Sequence, residues 1–283
     1  MVLSNKVSLD ARKLSKLLDF STTSSIAGRM ACTDFPSSLL KPAIQAYIKA
    51  FGVDMQDAAR GVEEYRSFGD FFARELKPGA RPVDPRENVL VSPADGLFHN
   101  WGNVEQGFIE QVKGQTYSIA ELLDDPVEAR KYTKGSFATI YLSPADYHRV
   151  HSPMPGSVVS ARYSPGALYS VQPFVTKLLK NLFVANERIS IHLETPHGRV
   201  CVVMVAATIV GRVSLAFSSL ETNGKTRLPK ADLFSRPIPL SKGAELGIFH
   251  IGSTVVLLTE RRFAPTADQG SKVRMGQQLM ELR

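Results

Sequence analysis

Cysteine is scarce in this chain of 283 residues, which holds only Cys32 and Cys201. Two thiols cannot build a disulfide framework, so an apolar core must stabilise the fold, and a reducing compartment is the default. Long apolar runs are lacking too. The longest, residues 200–210, falls well short of the roughly 20 residues of a membrane-spanning helix and is rich in β-branched residues, so it reads as a core strand. No lysine or arginine block concentrates the net charge of +7. That argues against a nucleic-acid partner and leaves an anionic lipid surface or a phosphate-bearing substrate compatible. The N-terminus has neither the apolar core nor the small-residue cleavage site of a signal peptide. Lys6, Arg12, Lys13 and Lys16 among Ser and Leu leave an organellar presequence open, with Asp10 and Asp19 against it. His148 and His151 are three apart, but no further Cys, His or Glu stands at metal-site spacing, so no metal is expected. His99, His192, His197 and His250 are scattered and read as solvent-facing or incidental.

What is there is 43% hydrophobic residues, enough for one large domain with a helical region appended. Leu9, Leu14, Leu17 and Leu18 recur at helical spacing, as do Ile44, Tyr47, Ile48 and Phe51, and Gly52 is a natural stop. Such helices either pack on a neighbouring domain or lie in a lipid interface, with Lys41 and Lys49 beside the apolar stripe. Residues 68–76 suggest a short aromatic-faced helix, and 77–85, rich in proline, a connector. From Val89 the texture becomes short β-type runs at 89–99, 136–143, 156–164, 189–194, 200–215 and 248–258, with one helical interruption over 118–132. The expected fold class is therefore α+β: a helical region over residues 1–76 and a β-rich, sandwich- or barrel-like domain over 77–283.

A turn pattern recurs, Ser92-Pro-Ala-Asp-Gly96 and Ser152-Pro-Met-Pro-Gly156. The second resembles the turn of biotinyl- and lipoyl-carrier domains, and Val273-Arg-Met-Gly-Gln-Gln-Leu279 their closing hairpin. No attachment lysine follows, which argues against a swinging arm and leaves a related β-sandwich.

The chemistry centres on Gly247-Ile-Phe-His-Ile-Gly-Ser-Thr-Val-Val-Leu-Leu-Thr-Glu260. Gly252-Ser253 interrupts two strand-like runs, as a bulge or tight turn between buried strands would. The sharper reading makes the Gly252–Ser253 peptide bond itself reactive, the serine hydroxyl attacking the carbonyl before it. Asp95 sits in a turn, where aspartate usually bonds its own backbone. Asp95, His151 and Ser253 nonetheless supply an acid, a base and a nucleophile, and triads are recognised by role rather than order.

Taken together these stretches resemble the pyruvoyl-dependent, membrane-associated phosphatidylserine decarboxylases of bacteria. The resemblance runs through Phe68-Gly-Asp-Phe-Phe-Ala-Arg74, Arg81-Pro-Val-Asp84 and Ser92–Gly96. It continues through Tyr141-Leu-Ser-Pro-Ala-Asp-Tyr-His-Arg-Val-His-Ser-Pro153, Pro165–Val171, Asn181–Arg188, Ala206–Gly211 and Ile251-Gly-Ser-Thr254. Ile251 replaces the family's usual leucine and keeps its apolar character.

The resemblance implies a proenzyme cut between Gly252 and Ser253 into a β chain (1–252) and an α chain (253–283). Asp95 would orient His151, which would deprotonate Ser253; elimination and hydrolysis would leave a pyruvoyl group derived from Ser253. That group, without metal or pyridoxal phosphate, would take the substrate amine in a Schiff base, and His148 would handle a proton. Implied partners are phosphatidylserine in anionic membranes and the two chains of one precursor; a homodimer is compatible. The implied location is peripheral, on the cytoplasmic face of the cell membrane, an organellar inner membrane being the other option. Residues around Leu168–Val171 and Asn181–Phe183 would border the lipid path, and the helical region over 1–76 would associate with the membrane. Rival readings are a serine hydrolase using Asp95, His151 and Ser253, a non-enzymatic membrane-surface β-sandwich, and a decarboxylase of free amino acids. Ser253 lacks a Gly-x-Ser-x-Gly elbow, which counts against the hydrolase.

Overall fold

The computed structural model describes residues 33–208, 212–222, 228–250 and 253–283. The leucines at 9, 14, 17 and 18, Cys32 and Gly252 lie outside these described residues. The helix expected around Ile44 runs Ser37–Phe51 and ends at Gly52, whose left-handed backbone (φ 67°) turns its N–H to the Ile48 carbonyl. Leu40 and Ile44 are buried with Val53, Tyr65 and Phe71 in a small core of their own. Residues 68–76 form a shorter helix than expected, Phe68–Phe72, with the Ser67 hydroxyl accepting from the Asp70 N–H at 3.1 Å. Tyr47 stands edge-on to Phe68 at 5.0 Å between ring centroids and donates its hydroxyl to the Pro144 carbonyl at 3.0 Å. The helical part is thereby fastened to the β part.

The main sheet is antiparallel and eight-stranded. Its order is Lys230–Leu240, Gly156–Ser164, Arg188–Thr195, Gly198–Ala206, Ser253–Thr259, Ser136–Leu142, Gly96–Asn103 and Lys272–Val273. Ser253–Thr259 is an interior strand buried at every residue, which is why Val255–Leu258 reads as a continuous apolar run and not an alternating one. A two-stranded hairpin, Phe108–Val112 with Gln115–Ser118, and two three-stranded sheets complete the described β part. One joins Val89–Val91, Gln278–Leu282 and Phe263–Pro265; the other joins Val213–Leu215, Glu245–Phe249 and Arg149–His151. The described strands do not close into a barrel.

The helical interruption is present as Ile119–Leu123, Pro126–Ala129 and a 3-10 turn over Arg130–Tyr132. Sequence reading missed the eleven-residue strand Lys230–Leu240. Pro237 and Pro239 hid it: proline cannot donate to a ladder and is confined to sheet edges, and here the pairing with Gly156–Ser164 breaks between Leu233 and Ile238.

Candidate active site

Ser253 opens the buried strand, paired with Leu142 on one side and Ala206 on the other. It is buried, and its hydroxyl has no hydrogen-bond partner among the described residues. A buried hydroxyl left unpaired costs about 1–3 kcal/mol, so its presence here calls for a reason. Ser253 also lines a cavity of about 340 Å³ whose walls are mostly apolar. Tyr47, Phe51, Phe68 and Phe72 form one wall, from the helical part; Tyr141 and the stretch Ser170–Gln172 form another.

Phe72 has a second neighbour, since its ring lies 4.0 Å from that of His148. His148 is fully buried, and burial pushes its imidazole down to about 3. Its Nδ1 faces the Asp146 carbonyl at 2.8 Å. A carbonyl only accepts, so Nδ1 carries the hydrogen and Nε2 keeps its lone pair, with no partner among the described residues. The Phe249 N–H donates to the His148 carbonyl at 2.9 Å. Phe72 thus touches both the His148 ring and the cavity that Ser253 lines.

His151 follows the same logic. Its Nδ1 donates to the Gly243 carbonyl at 2.9 Å, which leaves Nε2 as acceptor for the Tyr147 hydroxyl at 3.1 Å. Burial lowers its pKa most, with the Gly243 bond, Glu245 and Asp95 pulling the other way. Both histidines thus present a neutral ring whose Nε2 keeps its lone pair.

Asp95 lies close by, because the His151 N–H donates to the Pro93 carbonyl at 2.8 Å and anchors the turn that carries it. No hydrogen bond joins the two side chains. The Asp95 carboxylate accepts from Arg81 Nε at 3.0 and 3.1 Å, from Arg81 Nη2 at 2.6 Å and from the Met275 N–H at 2.8 Å. Asp95 acts on His151 through its charge. It lines a different cavity from Ser253, a polar one shared with Arg74, Arg81, Tyr147 and Lys272. The structure accordingly sets His148 against Phe72, on the wall of the cavity that Ser253 lines, and Asp95 near His151, without hydrogen bonds linking acid, base and nucleophile.

Arg81 and Tyr147 were given no role from sequence, although both fall in motifs that stood out. An arginine opening Arg-Pro-Val-Asp was the available signal. His192 departs from the solvent-facing expectation: it is buried, bonded through Nδ1 to the Tyr132 hydroxyl at 2.8 Å, and depressed by burial to about 4. Among the described residues no group of three or more His, Cys, Asp or Glu is gathered that could hold a metal, and no helix is long and apolar enough to cross a membrane.

Residues 68–281 match the family model for phosphatidylserine decarboxylase. The chain is 40% identical over 269 residues to the phosphatidylserine decarboxylase proenzyme of Anaeromyxobacter sp. (strain K), covering 93% of this chain and 95% of that one. It is 39% identical over 271 residues to that of Myxococcus xanthus (strain DK1622), covering 94% and 96%. The chain belongs to the phosphatidylserine decarboxylase family. It is thus a lyase by family, and the match takes in Asp95, His148, His151 and Ser253 together with Arg81 and Tyr147. The helix Ser37–Phe51 precedes the stretch matched by the decarboxylase family model, yet it supplies Tyr47 and Phe51 to the cavity over Ser253.

Proposed function

We propose that this chain is a proenzyme that cuts itself between Gly252 and Ser253 and then converts phosphatidylserine to phosphatidylethanolamine and CO2. The observation that carries the reading is the Ser253 hydroxyl, buried at the head of an interior strand, without a hydrogen-bond partner among the described residues and lining an apolar cavity. A serine hydrolase of the elbow type would carry its nucleophile on a strand-to-helix turn, whereas Ser253 heads an interior strand.

In the self-cleavage, Ser253 Oγ attacks the Gly252 carbonyl carbon and its proton passes to a basic imidazole nitrogen, His151 Nε2. The peptide C–N bond breaks as the ester forms, and nitrogen takes the proton. Loss of the Ser253 α-proton then expels the Gly252 carboxylate and leaves a dehydroalanine, which water converts to a pyruvoyl group and ammonia. Asp95, pinned by Arg81 and Met275, supports the positive charge that His151 gains. Glycine before the serine offers least steric resistance to the attack.

The pyruvoyl group would supply an electrophilic carbonyl that accepts the electron pair released with CO2. The residues present fit it: the apolar cavity excludes water and strengthens charge effects at the reacting carbon. His148, neutral and with no partner for Nε2 among the described residues, would take up and return a proton at the substrate α-carbon. The α chain 253–283 would stay bound after cleavage. Ser253–Thr259 is paired on both sides, Gln278–Leu282 pairs with Val89–Val91, and Met275 bonds Asp95.

Intact-mass analysis of the purified chain tests this. The wild type should appear as two fragments split before Ser253, the smaller without a free N-terminal amine, whereas Ser253→Ala and His151→Ala should remain whole. A folded wild type that stays uncut would overturn the reading.

A further inference from the structure

The cavity over Ser253 opens between two acid-free elements. On one side is Phe51, half-exposed at the end of the helix Ser37–Phe51, whose Leu39 is also exposed. On the other is Gln172, which leads into the helix Pro173–Leu178. Phe174 and Leu178 are four apart and so share a face of that helix, and both are 60% exposed. Exposed phenylalanine and leucine side by side are unusual for a surface bathed in water.

The helix that presents them is pinned from beneath. Val175 and Thr176 are buried, and the buried Gln111 side chain donates to the Thr176 and Leu179 carbonyls, each at 2.7 Å, and accepts from the Leu182 N–H at 2.8 Å. The two apolar side chains are held outward by a built platform. Charge completes the pattern. Residues 164–186 carry Lys177 and Lys180 and no acid; residues 37–51 carry Lys41 and Lys49 and no acid.

We infer that the helix Pro173–Leu178 is a bilayer-contacting element for membranes containing anionic phospholipid. Phe174 and Leu178 enter the acyl boundary while Lys177 and Lys180 meet the headgroups. Rings and leucines at the interface with lysines around them are what such a surface selects. With Phe51 across the opening, the cavity faces the bilayer, and a lipid reaches Ser253 without crossing water. A second protein copy fits the patch less well, because a stable contact buries about 800 Å² per partner and would want acids opposite four lysines. The inference rests on the proposed function, since it supplies the route for that substrate.

The test is co-sedimentation of the full chain with phosphatidylcholine vesicles, with and without phosphatidylserine, run beside turnover of short-chain phosphatidylserine dispersed in detergent. The double variant Phe174→Ser/Leu178→Ser should bind phosphatidylserine-containing vesicles about tenfold more weakly, with self-cleavage and turnover of the dispersed lipid unchanged. Lys177→Gln/Lys180→Gln should lose the preference for phosphatidylserine vesicles. Leu233→Ser, at an 82% exposed leucine on the sheet edge, should change nothing. Unaltered vesicle binding by the double variant would overturn the docking surface, as would an equal loss with Leu233→Ser. Binding does not depend on turnover. A wild type that binds vesicles through these residues but leaves the dispersed lipid unchanged would retain the surface and sink the decarboxylase reading.

Discussion

The chain turns the same corner twice, and the two corners differ in informative places. In one, Ser92 Oγ donates to the Ala94 carbonyl at 2.7 Å; in the other, Ser152 Oγ donates to that of Met154 at 2.6 Å. The Ser92 N–H bonds the Gln277 carbonyl as the Ser152 N–H bonds that of Ala244. The Gly276 N–H returns to the Ser92 carbonyl as the Gly243 N–H returns to that of Ser152, and both glycines have φ above 80° or at it (84° and 80°). The corners are cross-tied as well, Val91 N–H to the Pro153 carbonyl and His151 N–H to that of Pro93. This is a local two-fold repeat of backbone. The side chains break it where the chemistry lies. Asp95 corresponds to Pro155, and His151 corresponds to Val91. The N–H that bonds Asp95 belongs to Met275, whereas its counterpart Lys242 spends its amine on the Asp84, Arg86 and Val89 carbonyls. Each corner thus contributes one chemical group, the first a charge at Asp95 and the second a base at His151, where the other holds only a structural residue.

The largest break in the comparison comes from exchanging the carboxylate. Asp95→Asn should slow self-cleavage by on the order of 10³–10⁴, by analogy with triads that lose their acid, while Pro155→Ala at the matching position leaves the rate alone. Time-resolved intact mass of freshly refolded precursor reads both. Equal rates for Asp95→Asn and wild type would remove Asp95 from the mechanism. Next comes its clamp. Arg81 is nearly buried against Asp95 and also holds Asp57 at 2.7 Å. Removing one partner of such a pair costs about 3–5 kcal/mol, so Arg81→Gln should unfold at clearly lower denaturant. Arg81→Lys keeps the charge without the fork. It should fold, cleave about tenfold to a hundredfold more slowly by losing the carboxylate's orientation, and raise no such difference in a chain already carrying Asp95→Asn.

How much of this could be read from the sequence follows from which forces are local. The recurring Ser-Pro turns and the closing Gly at 276 were legible because turn chemistry is written in adjacent residues. The interior strand after Ser253 was legible from its apolar run, and the helix stop at Gly52 from a single residue. Three things were not. Pro237 and Pro239 disguised an edge strand, since pairing that tolerates proline is decided by the neighbour. The Gln111 platform joins residues more than 60 apart in the chain. Arg81 reaches Asp95 only through the folded connector. His192 was misjudged because a lone histidine carries no sign of its burial. The site residues themselves came from motif resemblance, and their hydrogen bonds, with His151 on Gly243 and Asp95 on Arg81, are tertiary facts that no spacing contains.

A smaller effect sharpens the backbone half of the comparison. Gly96 and Gly156 each follow their turn and press on a neighbouring strand. A Cβ would stand 2.5 Å from the Tyr141 carbonyl oxygen at Gly96 and 2.2 Å from that of Glu194 at Gly156. Backbone cannot step aside as a side chain does, so alanine at either should cost about 1–3 kcal/mol by overpacking, seen as a lowered urea midpoint. If the corners are equivalent scaffolds, the two losses should be similar. Only Gly96→Ala, beside Asp95, should also slow cleavage at a temperature where both variants are folded.

The gentlest probe is pH, and it separates the histidines by role. His148 and His192 titrate near 3 and 4 in the fold through burial, against an ordinary value of about 6.5. Between those values the unfolded chain holds protons that the folded chain refuses. Stability therefore rises with pH from about 4 to 6.5 and levels above it, at up to about 1.4 kcal/mol per pH unit for each group. Replacing His192 by Gln, which retains a partner for the Tyr132 hydroxyl, should flatten that rise by one group's share in denaturation curves taken between those limits. Cleavage should follow a different curve. His151 must be neutral to take the Ser253 proton, and burial lowers its pKa, so the rate should climb with pH through a midpoint below 6.5 and stay level beyond it. In His192→Gln that midpoint should not move, because the altered ring sits among strands Arg188–Thr195 and Gly198–Ala206 and not at the corner. A midpoint that shifted with His192, or one lying above 6.5, would mean that the proton acceptor is not a histidine in the environment His151 occupies.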